Sequence, residues 1–481
     1  MKFFDRIKTS GKILFSGYDA TRTTRSRRAR RPTTIRREEL ELGSGDRQKI
    51  VSQLLDYRRN HPLVKAICRL REQDVVGAGI IPKAETGDDD LDDQLESLWR
   101  RYTDAPEISG LSMRELQSLL ASSTLTQGDS GLLLLEGGQC QFIEGDQIGS
   151  EGDNWLSRND DPNLVEGVRL DDFGRPLKFQ IGTRRNGKLE NVREVLARDF
   201  VFHRKRFRGA QTRGIPELAS VLDTLQDVKE YDDTEMLAAK IAATMSAVVK
   251  RENSMEFELA AREVEEERLE YLEAGKVFYL EPNEDISVVS SNGRPNTDAI
   301  EWITYKLRVV GSALGIPVEF LLQTIGETSF SASQGMVLLY QATVENEQRA
   351  LFPALSRLWR WKVANWIREG EVDVPTRVNP YAVSWQPPTF RWVNRAAQVQ
   401  ADQLYLQMGA ISLEDVCGTF GKDSLTVMRR KAREIAKAKE IAEENGLDSW
   451  RDIFNPVATF GSAAIELEQP ETEETNNEKD R

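Results

Sequence analysis

Residues 200–222 read FVFHRKRFRGAQTRGIPELASVL. The stretch opens on an apolar run, passes through Arg204, Lys205, Arg206, Arg208 and Arg213 with two glycines among them, and closes on Pro216 ahead of a helical pattern. Leu218, Val221, Leu222, Leu225 and Val228 recur at helical spacing, and a proline is tolerated in the first turn, so a sheet hands the chain to a helix here. Two readings compete. Arginine forks beside His203, one of only two histidines, suit phosphate binding. Alternatively the glycines allow a tight corner, and the arginines pair with carboxylates of an adjoining layer or subunit. No base or nucleophile accompanies the basic run, which favours the corner and makes Arg208 and Arg213 candidates for a subunit interface.

Upstream, Gly128 to Phe202 carries short apolar runs separated by Gly-Gly, Asp-Phe-Gly and Asn-Gly, the turn chemistry of hairpins in a small antiparallel sheet. Before it the period is helical: Ile50, Leu54, Leu55 and Tyr57, then Val64, Ile67, Cys68 and Val75, broken at Pro62, with further helices over Leu95–Tyr102 and Met113–Thr124. Residues 20–45 hold almost no large apolar side chains and read as a flexible basic arm.

Downstream, the helix from Pro216 is expected to continue through MLAAKIAATMSAVVK, where Ala238, Ala239, Ala242, Ala243 and Ala247 form a face of small residues. Such a face admits a close helix neighbour, and none is evident locally, so Ala239 and Ala243 point to another subunit. An acidic helix follows, its nine glutamates including Glu263, Glu265, Glu266, Glu267 and Glu270. It is either a solvated face or a surface for a basic partner. KVFYLEPNEDISVVS reads as two short strands, Thr297–Leu314 as a helix, and Val337–Ile367 as a helix interrupted at Pro353. A last helical segment spans 394–446, ahead of an acidic tail. The fold class is α+β, mainly α.

Catalytic motifs are lacking. VVGAGI at 75–80 has no third glycine and follows a helix, there is no phosphate-cradling loop, and two histidines cannot build a Ser/His/Asp set without distant partners. Asp88, Asp89, Asp90, Asp92 and Asp93 read as a solvated helix start, since the glycine and terminal glutamate of a calcium loop are missing. Three isolated cysteines suggest neither disulfides nor zinc. We therefore expect no catalytic residue, metal or cofactor. No apolar run reaches the roughly 18 residues a membrane helix needs, and the first residues are too polar for a signal peptide, so a soluble chain in a reducing cytoplasm is expected, with no membrane partner.

The formal charge of −13 is unevenly placed. Residues 1–37 hold twelve Lys or Arg against two Asp or Glu, so the remainder is strongly acidic. A body of that sign has no general affinity for nucleic acid, and DNA would be guided by it without being gripped.

Taken in order, VSQLLDYRRNHPLVKAICRLREQDVVGAGI, GVRLDDFGRPLKFQI, the corner with its helix, WITYKLRVVGSALGIPVEFLL and RAAQVQADQLYLQMGAISLEDV resemble the phage portal proteins of the lambda type. The resemblance spans about Gly43 to Gly446; the tail beyond is idiosyncratic and the length short for the type. It implies a ring, commonly of twelve subunits, at one capsid vertex, through which double-stranded DNA is packaged and ejected without sequence readout. Implied partners are the terminase large subunit, head-completion and tail adaptor proteins, and the major capsid and scaffold proteins. The implied location is the virion, after assembly in the host cytoplasm.

On that resemblance the chain divides into a basic arm (1–45), a wing (46–215), a stem-associated helix (216–250), a clip (251–296) and a second stem helix (297–322). A tunnel loop (323–334), a kinked wing helix with its following segment (335–393), a helical crown (394–446) and a tail (447–481) complete it. Thr324, Glu327, Thr328, Ser329, Phe330, Ser331 and Ser333 would form the tunnel loop, with Lys306 and Arg308 as candidate channel cations. The five named glutamates would lie on the clip, facing terminase. Other classes remain open at this stage: a metal-dependent nuclease or phosphotransferase using the Asp cluster, or a monomeric DNA-binding adaptor using the arm.

Overall fold

The computed structural model describes residues 42, 44–150, 163–185, 187–244, 248–251, 284–287, 297–324, 330–388, 395–419, 424–446 and 450. They divide into two compact units: Ala84–Val383 with the residues up to Gly77, and Ala78–Lys83 with the residues from Ser384 onward.

The first unit opens with α1 (Ser44–Asn60) and α2 (Pro62–Arg71). Pro62 occupies the first turn of α2, where its missing N–H has no partner to lose, so the break falls between two helices. A π-helical turn over Glu72–Val76 extends α2, and Gly77 closes it at φ 52° by donating its N–H to Glu72 O at 3.1 Å. VVGAGI is thus in part a helix end. β1 (Ile81–Ala84), α3 (Asp89–Tyr102) and α4 (Met113–Thr126) follow. Ser112 and Glu115 form a reciprocal capping box at the start of α4, which fixes its first residue. Leu54, Val64, Ile67, Leu95, Leu116 and Leu120 are buried, which is the helical periodicity turned inward.

The strands are β2 (Asp129–Leu134), β3 (Cys140–Glu144), β4 (Leu164–Val165), β5 (Val168–Leu170), β6 (Pro176–Arg185), β7 (Lys188–Leu196) and β8 (Phe200–Arg204). Gly138, Gly174 and Gly187 take positive φ in the three hairpin turns that the glycine signals predict. One small sheet was expected and two are formed, in the orders β3-β2-β8 and β4-β5-β6-β7. The reason is β2: all six of its residues are buried, so it needs a partner on each edge and takes β8 as the second. Phe179 of β6 lies 4.7 Å from Phe200 and 5.0 Å from Phe202 of β8, joining the two sheets through aromatic contact.

Past the corner, a 3-10 turn over Glu217–Val221 leads into α5 (Leu222–Thr244). The helix expected to run to Lys250 stops at Thr244; Val248–Arg251 is a strand, β9, paired antiparallel with β10 (Glu284–Ser287). Successive β-branched Val248 and Val249 favour a pleated backbone over a helix. β10 is one of the two strands expected after the acidic helix; the other lies outside the described residues.

Next come α6 (Thr297–Leu314), ended by Gly315 at φ 67°, then α7 (Val318–Leu322) and α8 (Phe330–Glu369). α8 starts seven residues before the expected Val337 and runs through Pro353 without a break. An interior proline costs about 3 kcal/mol, and the buried neighbours Leu351, Leu355, Leu358 and Trp359 hold the helix across it. Trp359 packs on Trp99 at 5.1 Å, and Trp366 on Tyr102 at 6.4 Å, so α8 shares a core with α3.

The second unit carries most of the two-stranded sheet of β1 and β11 (Val383–Gln386), with α9 (Arg395–Met408), α10 (Leu413–Thr419) and α11 (Ser424–Glu444). The single helical segment expected here is thus three helices. Gly409 at φ 72° ends the first, and Ser412 caps the second by exchanging hydrogen bonds with Asp415. Among the described residues no helix is long and apolar enough to cross a membrane.

Candidate functional site

The corner at residues 200–222 is built around one buried ion pair. Arg213 is 2% exposed and Asp129, the first residue of β2, is fully buried. The guanidinium donates from Nε to Asp129 Oδ2 at 2.7 Å and from Nη2 to Oδ1 at 2.9 Å. Its remaining N–H groups reach the carbonyls of Gly145 (2.7 Å), Ile148 (2.8 Å) and Glu166 (2.7 Å). The Gly214 N–H adds a bond to Asp129 Oδ2 at 2.8 Å. Burial alone would raise the Asp129 pKa, but the charge and hydrogen bonds of Arg213, helped by Arg47 and the Gly214 N–H, outweigh it and hold the carboxyl below its ordinary range.

The glycines make this approach possible. A Cβ on Gly214 would stand 1.9 Å from Gly128 O, and Gly128 itself adopts φ 88°. The corner is therefore the reading the geometry bears out, with one correction. Arg213 is committed to acceptors within its own chain and is unavailable to a neighbouring subunit. Arg208 is half-buried, its carbonyl accepting from Gln211 N at 3.2 Å.

A second cluster ties the corner to the helices. Arg71 at the end of α2 meets Glu217 at 3.0 Å, Lys205 meets the same carboxylate at 2.8 Å, and both cations also contact Glu347 of α8. Burial pushes Glu217 up, and the charges of Arg71 and Lys205 more than reverse that, so its pKa is lowered. One turn away, the Tyr340 hydroxyl donates to Asp74 at 2.7 Å and Gln348 Nε2 to Val75 O at 3.3 Å. α8 is thus pinned to the π-helical turn and to the corner together. Sequence reasoning missed Arg71, Glu217 and Glu347, because they are brought together across more than a hundred residues with no local signal.

α5 and α6 form an antechamber to this corner by pairing with each other. Tyr231 packs on Trp302 with ring centroids 4.5 Å apart. Lys306 Nζ lies 3.5 Å from Asp227 Oδ2 and 5.2 Å over the Trp302 ring. Two expectations change. α5 has an intrachain partner after all, and Lys306, a candidate channel cation, faces that partner, whereas Arg308 is exposed. The pair leaves Met236, Leu237, Ile300, Tyr305 and Val309 exposed. Ala239 is exposed as well, and the Ala243 side chain lies outside the described residues.

Of the expected tunnel loop, Thr324 donates its N–H to Glu319 O at 3.0 Å and is half-buried. Glu327, Thr328 and Ser329 lie outside the described residues. Phe330, Ser331 and Ser333 belong to the first turn of α8, with Ser333 buried, so the loop proper ends before Phe330. The clip candidates Glu263, Glu265, Glu266, Glu267 and Glu270 lie outside the described residues.

The alternatives drawn from chemistry find their residues otherwise employed. Asp88 caps α3 by accepting from Leu91 N at 3.0 Å, and Asp92 accepts from the Thr86 N–H and hydroxyl at 3.0 and 2.7 Å. His203 is buried on β8, where desolvation and then the Lys205 charge lower its pKa to about 4. A cavity of about 600 Å³ lies beside Arg213, and the charges on its walls are paired with one another: Arg47 with Glu166 at 2.8 Å and Arg184 with Asp146 at 3.4 Å.

Residues 23–348 match the family described as "Phage portal protein, lambda family". The chain belongs to the lambda family of phage portal proteins. It is a portal protein, acting as a channel at the capsid vertex and located in the virion.

Solved structures similar to this portal include a chain of the virion of the native gene transfer agent particle, 14% identical with a TM-score of 0.48, covering 78% of this chain and 93% of that one. A chain from the neck of the native particle with C12 symmetry is 14% identical at a TM-score of 0.47, covering 82% and 95%. An HK97 family phage portal protein from Corynebacterium diphtheriae is 14% identical at a TM-score of 0.29, covering 60% and 86%. None of the curated proteins matches the chain.

Proposed function

We propose that the portal closes as a ring of twelve subunits in which α5 and α6 form the stem and α6 lines the DNA passage. The observation that carries this reading is the paired helices' exposed apolar set, Met236, Leu237, Ile300, Tyr305 and Val309, on a chain of net charge −13. Contiguous apolar side chains on a soluble subunit mark a surface that another molecule covers. In a closed ring that molecule is the next copy.

The segment between Thr324 and Phe330 is the constriction, offering a sliding duplex small hydroxyls and transient contacts in place of base-specific hydrogen bonds. The mainly acidic body keeps the duplex centred by repulsion. Residues 251–296 form the clip, whose glutamates steer basic patches of the terminase large subunit and later of head-completion and tail adaptor proteins. The basic arm meets capsid, scaffold or DNA, assembly takes place in the host cytoplasm, and the protein performs no chemistry of its own.

Deleting Glu327–Ser331 tests the assignment. Rings should form as before while DNA packaging or retention falls. Normal packaging and retention by the deleted protein would refute the constriction.

A further inference from the structure

The charge of the chain reverses locally on α11. Between Met428 and Lys439 stand Arg429, Arg430, Lys431, Arg433, Lys437 and Lys439 against the single acid Glu434, and all six cations are exposed. At about 100° per residue, Arg429, Arg430, Arg433 and Lys437 fall within roughly 100° of arc, extending about 12 Å along the helix. Ala438 and Ala442, which are buried, lie on the other side. The stripe is therefore the outward face of a helix anchored by its small residues.

We propose that this face of α11 rests against the phosphate backbone of double-stranded DNA. The inference rests on the portal reading, which brings DNA to the protein, and adds a surface that reading does not assign. Three features select phosphates. First, the arc from Thr426 to Lys437 holds only Thr426 and the four cations, with none of the aromatic or apolar anchors that carry affinity at protein interfaces. Phosphate contacts need none, because releasing counterions from the duplex supplies the driving force.

Second, the internal pairs on the helix are weak competitors. Arg430 meets Glu434 at 3.1 Å and Lys437 meets Glu440 at 2.9 Å, both on exposed side chains. Such pairs contribute about 0.3–0.5 kcal/mol, so either cation can turn to a phosphate at small cost. Third, the face presents no groups suited to reading base edges, which fits a duplex of any sequence held without register.

The test uses the purified full chain and fluorescence anisotropy with a labelled 30-base-pair duplex over a range of salt. The variant carries Arg429→Gln, Arg430→Gln, Arg433→Gln and Lys437→Gln; a second variant carries the three Arg→Lys changes alone. The Gln variant should bind at least tenfold more weakly, and its slope of log affinity on log salt should be shallower by about three, at 0.9 per phosphate lost. The Lys variant should keep the salt slope, which separates charge from damage to the helix. Unchanged affinity and slope in the Gln variant would overturn the proposal. So would a synthetic peptide of the acidic residues 465–481 binding through these cations while the duplex does not, since the stripe would then serve a protein segment. Electron microscopy of the same samples reports ring formation separately, so loss of rings and loss of DNA binding are read as different failures.

Discussion

Arg213 and Asp129 face each other through two parallel hydrogen bonds, at 2.7 and 2.9 Å, eighty-four residues apart in sequence and with essentially no access to water. The pair welds the corner that feeds the stem to the first residue of the central strand β2. A charge pair this deep is sustained only because its remaining donors are satisfied, here by three loop carbonyls.

Removing one partner should therefore be severe. Arg213→Ala leaves Asp129 buried without its counter-ion and is expected to cost about 3–5 kcal/mol. Arg213→Lys should recover little, since one ammonium cannot replace a planar fork that reaches five acceptors. Denaturant unfolding of the purified protein measures both, and a loss under 1 kcal/mol for the alanine variant would contradict this role.

Gly214→Ala is expected to be as damaging despite adding a single methyl. Its Cβ would meet the Gly128 carbonyl oxygen at 1.9 Å, and backbone on both sides leaves neither strand free to yield. Soluble yield and circular dichroism of this variant should fall well below those of Gly209→Ala, where a Cβ meets nothing within 4 Å.

What was legible in the sequence follows from how local each signal is. Pro62, the Gly-Gly and Asn-Gly turns and the apolar spacing of Leu54 to Val75 act within a few residues, and the structure places helices and hairpins where they indicate. The end of α5 was misplaced because alanines that favour helix run directly into Val248 and Val249, whose strand pairing with Glu284–Ser287 depends on a segment thirty-six residues away. The same limit hid the joining of Arg71, Lys205, Glu217 and Glu347: each looks like an ordinary surface charge until the fold buries it. It also made Arg213 look like an interface residue, since nothing near it in sequence announces Asp129.

Acid should weaken the first unit in two stages. His203 has a folded pKa of about 4 against an ordinary 6.5, so its contribution is full above pH 6.5 and is lost as pH falls from 6.5 toward 4, by on the order of 3 kcal/mol. His61, lowered by burial, acts in the same direction. Asp129 and Glu217 have lowered pKa values, so their contributions persist to lower pH and are lost as pH falls through those folded values. Asp74 and Asp146, raised by burial, act oppositely over the range just above pH 4. Comparing unfolding of the wild type with His203→Gln from pH 4.5 to 7.5 isolates the first stage. The variant should show a flatter profile, and parallel profiles would remove His203 from it.

Ala239→Leu with Ala243→Leu tests the stem face proposed for the neighbouring copy. Overpacking a close helix contact costs about 1–3 kcal/mol per interface and should impair ring closure while leaving helix content unchanged. Rings of normal yield from the double variant would show that the face is not an interface.

The most direct measurement is end-on electron microscopy of the purified wild-type chain without any partner protein. Closed rings of uniform diameter with a central opening, twelve subunits around, are the expected result. A population of separate single chains, or open chains of variable length with no enclosed passage, would contradict the channel.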